Sequence, residues 1–250
     1  MKNAILTTIA FGLIVASGCS SKETHLVQQP VAQQAAPTLP NDVHWFRNAA
    51  EQRAVYLQGF KLATAKLEEI ARNAQPGTWA VSLDADETIL DNSLYQKEIS
   101  LKGESYSKET WNLWCERRIA GALPGAREFM QKIQELGGKV VIVSNRYVET
   151  QQATEDNLRT LDIPFDLVML RQGSPDKEKE RRWNEIETGT SPAGWPPLKI
   201  VMYVGDNIMD FPDLEQSIRT QPDAAFSAIG NEYIVFPNPM YGSWQGNAQD

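Results

Sequence analysis

The stretch Thr78-Trp79-Ala80-Val81-Ser82-Leu83-Asp84-Ala85-Asp86 decides the fold. Pro76-Gly77 breaks the helical pattern before it, residues 78–83 read as a short apolar strand, and the run ends in acid. The same punctuation recurs downstream. Lys139 to Val143 (KVVIV) is a buried strand leading into Ser144-Asn145-Arg146, and Phe165 to Leu170 is another. Leu198 to Val204, too apolar for anything but a sheet interior, leads into Gly205-Asp206-Asn207 with Asp210 beyond. Between these runs, Gly125 to Leu136, Thr150 to Thr160 and about Asp176 to Glu187 carry helical patterning. Strands alternating with helices imply an α/β fold, a parallel sheet wound by right-handed crossovers, with ligands bound at the carboxyl ends of its strands.

What stands at those ends is acidic. Asp84, Asp86, Asp206 and Asp210 would project into one space, where like carboxylates raise each other's pKa unless a cation neutralises them. All the donors are hard oxygens, with no His or Cys among them, which favours Mg²⁺ over zinc or copper, one ion per chain. Mg²⁺ shares its coordination with phosphate, so a carboxylate-rich site beside a hydroxyl and a lysine points to phosphoryl transfer. A calcium loop is a poor fit, because the sixth and twelfth positions counted from Asp84 are Ile89 and Tyr95 instead of Gly and Glu. Asp91, Asn92 and Asp213 read equally well as helix caps. Neither His25 nor His44 sits in an Arg-His-Gly context, which excludes a histidine phosphatase, and no zinc cluster can be assembled.

Asp84-Ala85-Asp86-Glu87-Thr88-Ile89-Leu90-Asp91-Asn92-Ser93 resembles the first motif of the haloacid dehalogenase superfamily, in the form found in the class C bacterial acid phosphatases. Val143-Ser144-Asn145-Arg146 is similar to the second motif and Gly205-Asp206-Asn207-Ile208-Met209-Asp210-Phe211 to the fourth. The resemblance implies a Rossmann-like core with a small helical cap and a phosphomonoesterase activity. It makes Asp84 the nucleophile that forms an aspartyl-phosphate and Asp86 the general acid and base. It gives Asp84, Asp206 and the backbone carbonyl of Asp86 to the metal, with Asp210 ligating it or holding a metal-bound water, and Ser144 and Asn145 to the phosphoryl oxygens. The third motif needs a lysine. Asp176-Lys177-Glu178-Lys179-Glu180-Arg181-Arg182 offers Lys177 and Lys179; the spacing that puts Lys179 and Arg182 on one helix face favours Lys179. Nucleoside monophosphates, nicotinamide mononucleotide and aryl phosphates are the substrates implied. A phosphotransferase of the same superfamily and a non-catalytic surface-binding lipoprotein are the alternatives.

Working outward, residues 95–123 carry Tyr106, Trp111 and Trp114 and read as the helical cap, while Tyr241 and Trp244 come from Pro-Met-Tyr-Gly-Ser-Trp. Trp111 and Tyr241 are the best candidates for stacking on a planar leaving group, although each taken singly also reads as a packing aromatic. Upstream, Trp45, Ala49, Tyr56, Phe60, Ala63, Leu67 and Ile70 predict one long amphipathic helix over residues 41–74. The phosphatase domain is therefore expected over residues 41–250.

The N-terminus reads as an address. One lysine precedes an apolar run from Ala4 to Ala16 that is too short to span a bilayer, and Ala16-Ser17-Gly18-Cys19 resembles the lipobox of bacterial lipoproteins, with Ala16 where Leu is usual. Residues 1–18 are thus expected to be a signal peptide, with Cys19 lipidated and residues 19–40, rich in Gln and Pro, a tether. Ser20 after the cysteine implies sorting to the outer membrane, to which Cys19 would attach the chain. Cys115 is left alone and reads as a small buried hydrophobe. The remaining composition is that of a globular protein: 250 residues, 42% hydrophobic and 22% charged, which excludes disordered and polytopic membrane classes. A net charge of −8 without a basic stripe argues against a nucleic-acid polymer as partner. A small phosphomonoester is the expected partner, and a homodimer stays open.

Overall fold

The computed structural model describes residues 38–173 and 179–249. The expected signal peptide, the lipidation of Cys19, nearly all of the tether and Lys177 lie outside the described residues. In chain order the elements are α1 (Asn41–Asn48), α2 (Ala50–Ala71), β1 (Trp79–Leu83), β2 (Leu90–Asp91), α3 (Ser93–Lys102), α4 (Lys108–Glu116) and β3 (Gly121–Ala122). There follow α5 (Ala126–Glu135), β4 (Lys139–Tyr147), α6 (Gln151–Thr160), β5 (Leu167–Arg171), α7 (Glu180–Glu187), β6 (Lys199–Gly205) and β7 (Tyr233–Val235), with short 3₁₀ turns between.

β1, β4, β5, β6 and β7 form one sheet in the order β5-β4-β1-β6-β7, and every pairing in it is parallel. All residues of β1 are buried, as expected of the central strand of a sheet covered on both faces. Alternation assigns the faces. Val140 and Ile142 of β4 pack into the larger cluster with Phe60, Leu67, Phe129 and Ile133 of α2 and α5, whereas Val141 and Val143 join Trp183 and Ile186 of α7 on the other face. A bulge in β6 interrupts this alternation: Ala80 pairs with Ile200 but Val81 with Met202. Ile200 consequently faces the α7 layer while Met202 and Val204 face the α2 layer.

The expected single helix over residues 41–74 is two helices. Ala49 is extended, at φ −78° and ψ 134°, and the second helix ends at Ala71. The break lets α1 bury Val43 and Phe46 beside α3 while α2 turns Tyr56, Phe60, Ala63 and Leu67 onto the core, two stripes that one straight helix could not aim in both directions. The cap region holds two short helices above the antiparallel β2–β3 pair. Ser107 and Thr110 form a capping box at the start of α4, and Tyr95 on α3 hydrogen-bonds Thr110 at 2.9 Å, which ties the two helices together. β7 at the sheet edge is absent from the sequence reading, being too short for a periodicity signal.

Candidate active site

Asp84 is the first residue beyond β1, and its backbone N–H donates to Val204 O at 2.8 Å, so it sits level with Gly205-Asp206 at the end of β6. Its carboxylate is aimed by two donors. The Asp86 N–H reaches Asp84 Oδ2 at 3.0 Å and Lys179 Nζ reaches Oδ1 at 2.5 Å. Lys179, placed just before α7, also contacts Asp210 Oδ1 at 2.8 Å. Burial alone would lower the Lys179 pKa, but the Asp210 and Asp84 carboxylates outweigh it and leave the ammonium firmly protonated. Arg182, one turn along the same helix, is buried and donates to Ser144 O at 2.6 Å, Met169 O at 3.0 Å and Asn145 Oδ1 at 2.8 Å. It thereby fixes the loop that presents Ser144 and Asn145.

Asp86 is held differently. Its Oδ1 accepts from Arg146 Nε at 2.8 Å, from Arg146 Nη2 at 2.7 Å and from Asn92 Nδ2 at 2.8 Å. Asn92 in turn accepts from Trp114 Nε1 at 2.8 Å and from Arg146 Nη2 at 3.0 Å, and its N–H is held by the buried Glu87 carboxyl at 2.8 Å. Asn92 stands at the N-cap position of α3, yet its side chain makes no cap bond, because it is committed to Asp86. Burial raises the Asp86 pKa, with Arg146 working against it and the Asp84 charge adding to it; the net direction is upward. Glu87 adopts a left-handed backbone at φ +50° in the loop after β1, a strained conformation for a side-chain-bearing residue. Burial pushes its carboxyl well above the ordinary range.

Carboxylate oxygens of Asp84, Asp206 and Asp210 lie within 4.8 Å of one another. Gly205 permits this approach: a Cβ there would meet the Asp210 carboxylate at 2.3 Å. Asp210 Oδ2 accepts from the Asp206 and Asn207 N–H groups at 3.1 and 2.9 Å, and Asn238 Nδ2 donates to Asp206 Oδ2 at 2.8 Å. Burial, compounded by the neighbouring acids, lifts Asp206 well above the usual carboxylate range, and burial likewise pushes Asp210 up to about 6. Three clustered carboxylates served by one lysine remain short of positive charge. Oxygen donors alone, at this spacing, suit a hard divalent cation.

Two cavities meet here. One of about 420 Å³ is lined by Asp84, Asp86, Ser144, Arg171, Asp206 and Asp210 among others. The second, about 700 Å³, opens beside it under the cap, with Tyr106, Trp111, Asp42 and Glu104 in its wall; Asp86, Asn145 and Tyr241 belong to both. Trp111 is 7% exposed and meets Tyr95 edge-on, so packing and cavity lining are combined in one side chain. Trp244 lines neither cavity. Cys115 is buried and free, its thiol pushed up to about 11 by desolvation.

Residues 12–244 match the family model described as HAD superfamily, subfamily IIIB (acid phosphatase). The chain belongs to that acid phosphatase family. Among solved structures, it is similar to the class C acid phosphatase of Bacillus anthracis, at 31% identity and a TM-score of 0.71 over 82% of this chain and 86% of that one. A tungstate-bound structure described in the same words aligns at 30% identity and a TM-score of 0.70, with the same coverage. Acid phosphatase 1 of Solanum lycopersicum is 24% identical over 221 residues, 80% of this chain and 78% of its own. The protein is thus a phosphomonoesterase built on an α/β sheet with a cluster of acidic residues of the kind its family uses to bind metal. Among the described residues, no helix is long and apolar enough to cross a membrane.

The four strand-end aspartates, Ser144 and Asn145 line one cavity, Lys179 is buried against Asp84 and Asp210 of that set, and Trp111 and Tyr241 line the neighbouring cavity. The sequence assigns no role to Arg146, Asn238 or Arg171, and reads Asn92 as readily as a helix cap as a site residue. Arg146 and Asn92 stand inside the quoted motifs, so their position is a signal; Asn238 and Arg171 carry none.

Proposed function

We propose that the protein is a Mg²⁺-dependent phosphomonoesterase working through an aspartyl-phosphate on Asp84. The observation that carries this reading is the pairing of Asp84, oriented by Lys179 and the Asp86 N–H, with Asp86, whose Oδ1 is saturated by three donors. Asp84 attacks phosphorus and the P–O bond to the leaving alcohol breaks. Asp86 delivers the proton from its remaining oxygen, Oδ2, to that alkoxide. The same oxygen then takes a proton from water as the water attacks the acyl phosphate, which regenerates Asp84 and releases phosphate. Ser144, Asn145 and Lys179 bind the phosphoryl oxygens and hold charge that develops there. Asp84, Asp206, Asp210 and the Asp86 carbonyl would hold Mg²⁺, which supplies charge neutralisation of the phosphoryl group when bound.

Substrate choice is read from the cavity under the cap. Aromatic side chains Tyr106, Trp111 and Tyr241 favour planar leaving groups such as a nucleobase, nicotinamide or an aryl ring. Among the described residues, that wall carries Asp42 and Glu104 and no basic side chain, which disfavours a second phosphate there and favours monophosphates over di- and triphosphates. The tungstate-bound Bacillus anthracis relative supports a tetrahedral oxyanion site in this fold. Cys19, as the lipidated residue, would attach the enzyme to the outer membrane.

The test is phosphate release from AMP, nicotinamide mononucleotide and an aryl phosphate, with Mg²⁺ or EDTA, beside Asp84→Asn. Release that EDTA and the substitution both abolish is the expected result; release that survives Asp84→Asn would overturn the covalent route. Free phosphate yield unchanged by added alcohols separates hydrolysis from phosphotransfer. Radiolabelled palmitate incorporation that disappears in Cys19→Ser tests the anchor.

A further inference from the structure

Among the described residues lining the catalytic cavity, four are aspartates and one is basic, Arg171. Lys179 is held between Asp84 and Asp210, and Arg146 is spent on Asp86. Among the described residues, no carboxylate is ion-paired with Arg171 in this way. Its guanidinium lies 4.0 Å from the centroid of the Tyr147 ring, and its Nε is buried without a hydrogen-bond partner among the described residues.

Topology places this cation where an anion would need it. Arg171 is the last residue of β5, in register with Tyr147 of β4, while Asp206 and Asp210 follow β6. In the order β5-β4-β1-β6, Ser144 stands on β4 and Asp84 directly follows β1, the two strands between. An anion above Asp84 therefore has the carboxylate cluster on one flank and Arg171 on the other. Arg171 does not line the cavity under the cap, so it serves the phosphoryl end of the ester and not the leaving group. The Tyr147 ring against the guanidinium restricts its plane, and the side chain lines the cavity.

We propose that Arg171 is a phosphoryl-binding residue that donates to the non-bridging oxygens of the substrate and of product phosphate from the side opposite Asp206 and Asp210. The proposal rests on the reading of this cavity as the phosphoryl site. A planar fork matches two phosphate oxygens where an ammonium offers a point charge, so Lys at this position replaces only part of the interaction.

The experiment uses the full-length, Mg²⁺-loaded chain and its Arg171→Lys and Arg171→Gln variants. Inorganic phosphate is the probe, read as a calorimetric Kd and as a competitive inhibition constant against an aryl phosphate. Arg171→Gln is expected to weaken phosphate roughly tenfold or more and to raise KM for the ester in parallel, with Arg171→Lys in between. Thermal melting of each variant accompanies the measurement, because a merely structural role would lower the melting temperature and leave the phosphate Kd of the folded protein alone. Phosphate affinity within twofold of wild type in folded Arg171→Gln overturns the proposal. The calorimetric arm requires no turnover: wild type that binds phosphate but hydrolyses no ester would sink the catalytic reading while the role of Arg171 is still decided by its own Kd.

Discussion

Arg146 places two guanidinium nitrogens, Nε at 2.8 Å and Nη2 at 2.7 Å, on one oxygen of Asp86. With Asn92 as a third donor on that oxygen, Oδ2 is the oxygen left for the proton that the reaction moves. The arrangement separates orientation from chemistry within one carboxyl group. It also sets two opposing influences on acidity, since burial disfavours the charged form and Arg146 favours it.

Removing Arg146 should therefore act on pH dependence as well as stability. In Arg146→Met, burial loses its counterweight and the Asp86 pKa rises further. Because the protonated acid is the active form for leaving-group departure, the alkaline limb of kcat/KM moves to higher pH than in wild type. Stability should fall by about 3–5 kcal/mol at neutral pH, where a buried carboxylate has lost its partner. The deficit shrinks in acid, where Asp86 is neutral. Denaturant melts and rate profiles between pH 4 and 9 check both; an alkaline limb that stays in place would contradict the argument.

Lys179 bridges two acids that would otherwise repel. Lys179→Met should reduce kcat by about 10²–10³, the range for deleting one preorganised charged donor, with a smaller change in KM. Lys179→Arg should not rescue it, because the contact space between Asp84 and Asp210 is that of a single ammonium. Single-turnover rates with an aryl phosphate separate a loss of chemistry from slow product release.

How much of this was legible in advance follows from where each signal lies. Strand ends such as Leu83-Asp84 and Gly205-Asp206 are local features, an apolar run stopping on acid, and the parallel sheet brings them together as alternation with helices implied. Lys179 was favoured over Lys177 because an i, i+3 relation to Arg182 is also local. Arg146 and Asp86 are sixty residues apart, and Asn238 and Asp206 are separated by thirty-two; no spacing within one element encodes those pairings. The break at Ala49 was equally hidden, since neither Pro nor Gly marks it and only the two packing directions of α1 and α2 demand it.

Glu87 makes a pH prediction with a definite sign. Its folded pKa lies well above the ordinary value of 4.5, because burial disfavours the carboxylate. The folded state thus holds a proton that the unfolded chain releases, and stability falls as pH rises from about 4.5 through the folded pKa. Asp206 and Asp210 contribute in the same direction when no metal is bound. Without metal, the melting temperature should decline between pH 5 and 8, and Glu87→Gln, which keeps an acceptor for the Asn92 N–H, should decline less. Mg²⁺ should raise the melting temperature most at the alkaline end, where the ligand carboxylates are ionised. A Glu87→Gln slope as steep as wild type would assign the whole effect to the metal site.

The division of labour between Asp84 and Asp86 can be tested by the leaving group. If Asp86 Oδ2 supplies the proton, its importance scales with how badly the departing oxygen needs one. An alkoxide such as the ribose 5′ oxygen of AMP is a poor leaving group without protonation, whereas a nitrophenolate departs readily on its own. Asp86→Asn keeps an acceptor for Arg146 on one side and removes the proton donor of the acid. It should lower the rate of phosphorylating Asp84 by about 10²–10⁴ with AMP and far less with a nitrophenyl ester, a magnitude typical of general acid catalysis. With the activated ester the acyl phosphate should then accumulate, because the same residue is needed as base for its hydrolysis. Quenched-flow trapping of a phosphorylated chain shows that directly, and a burst of nitrophenol should precede slow turnover. Equal loss for both esters, with no burst, would mean that the Asp86 side chain acts by ordering the site through Arg146 and Asn92 and not as the acid.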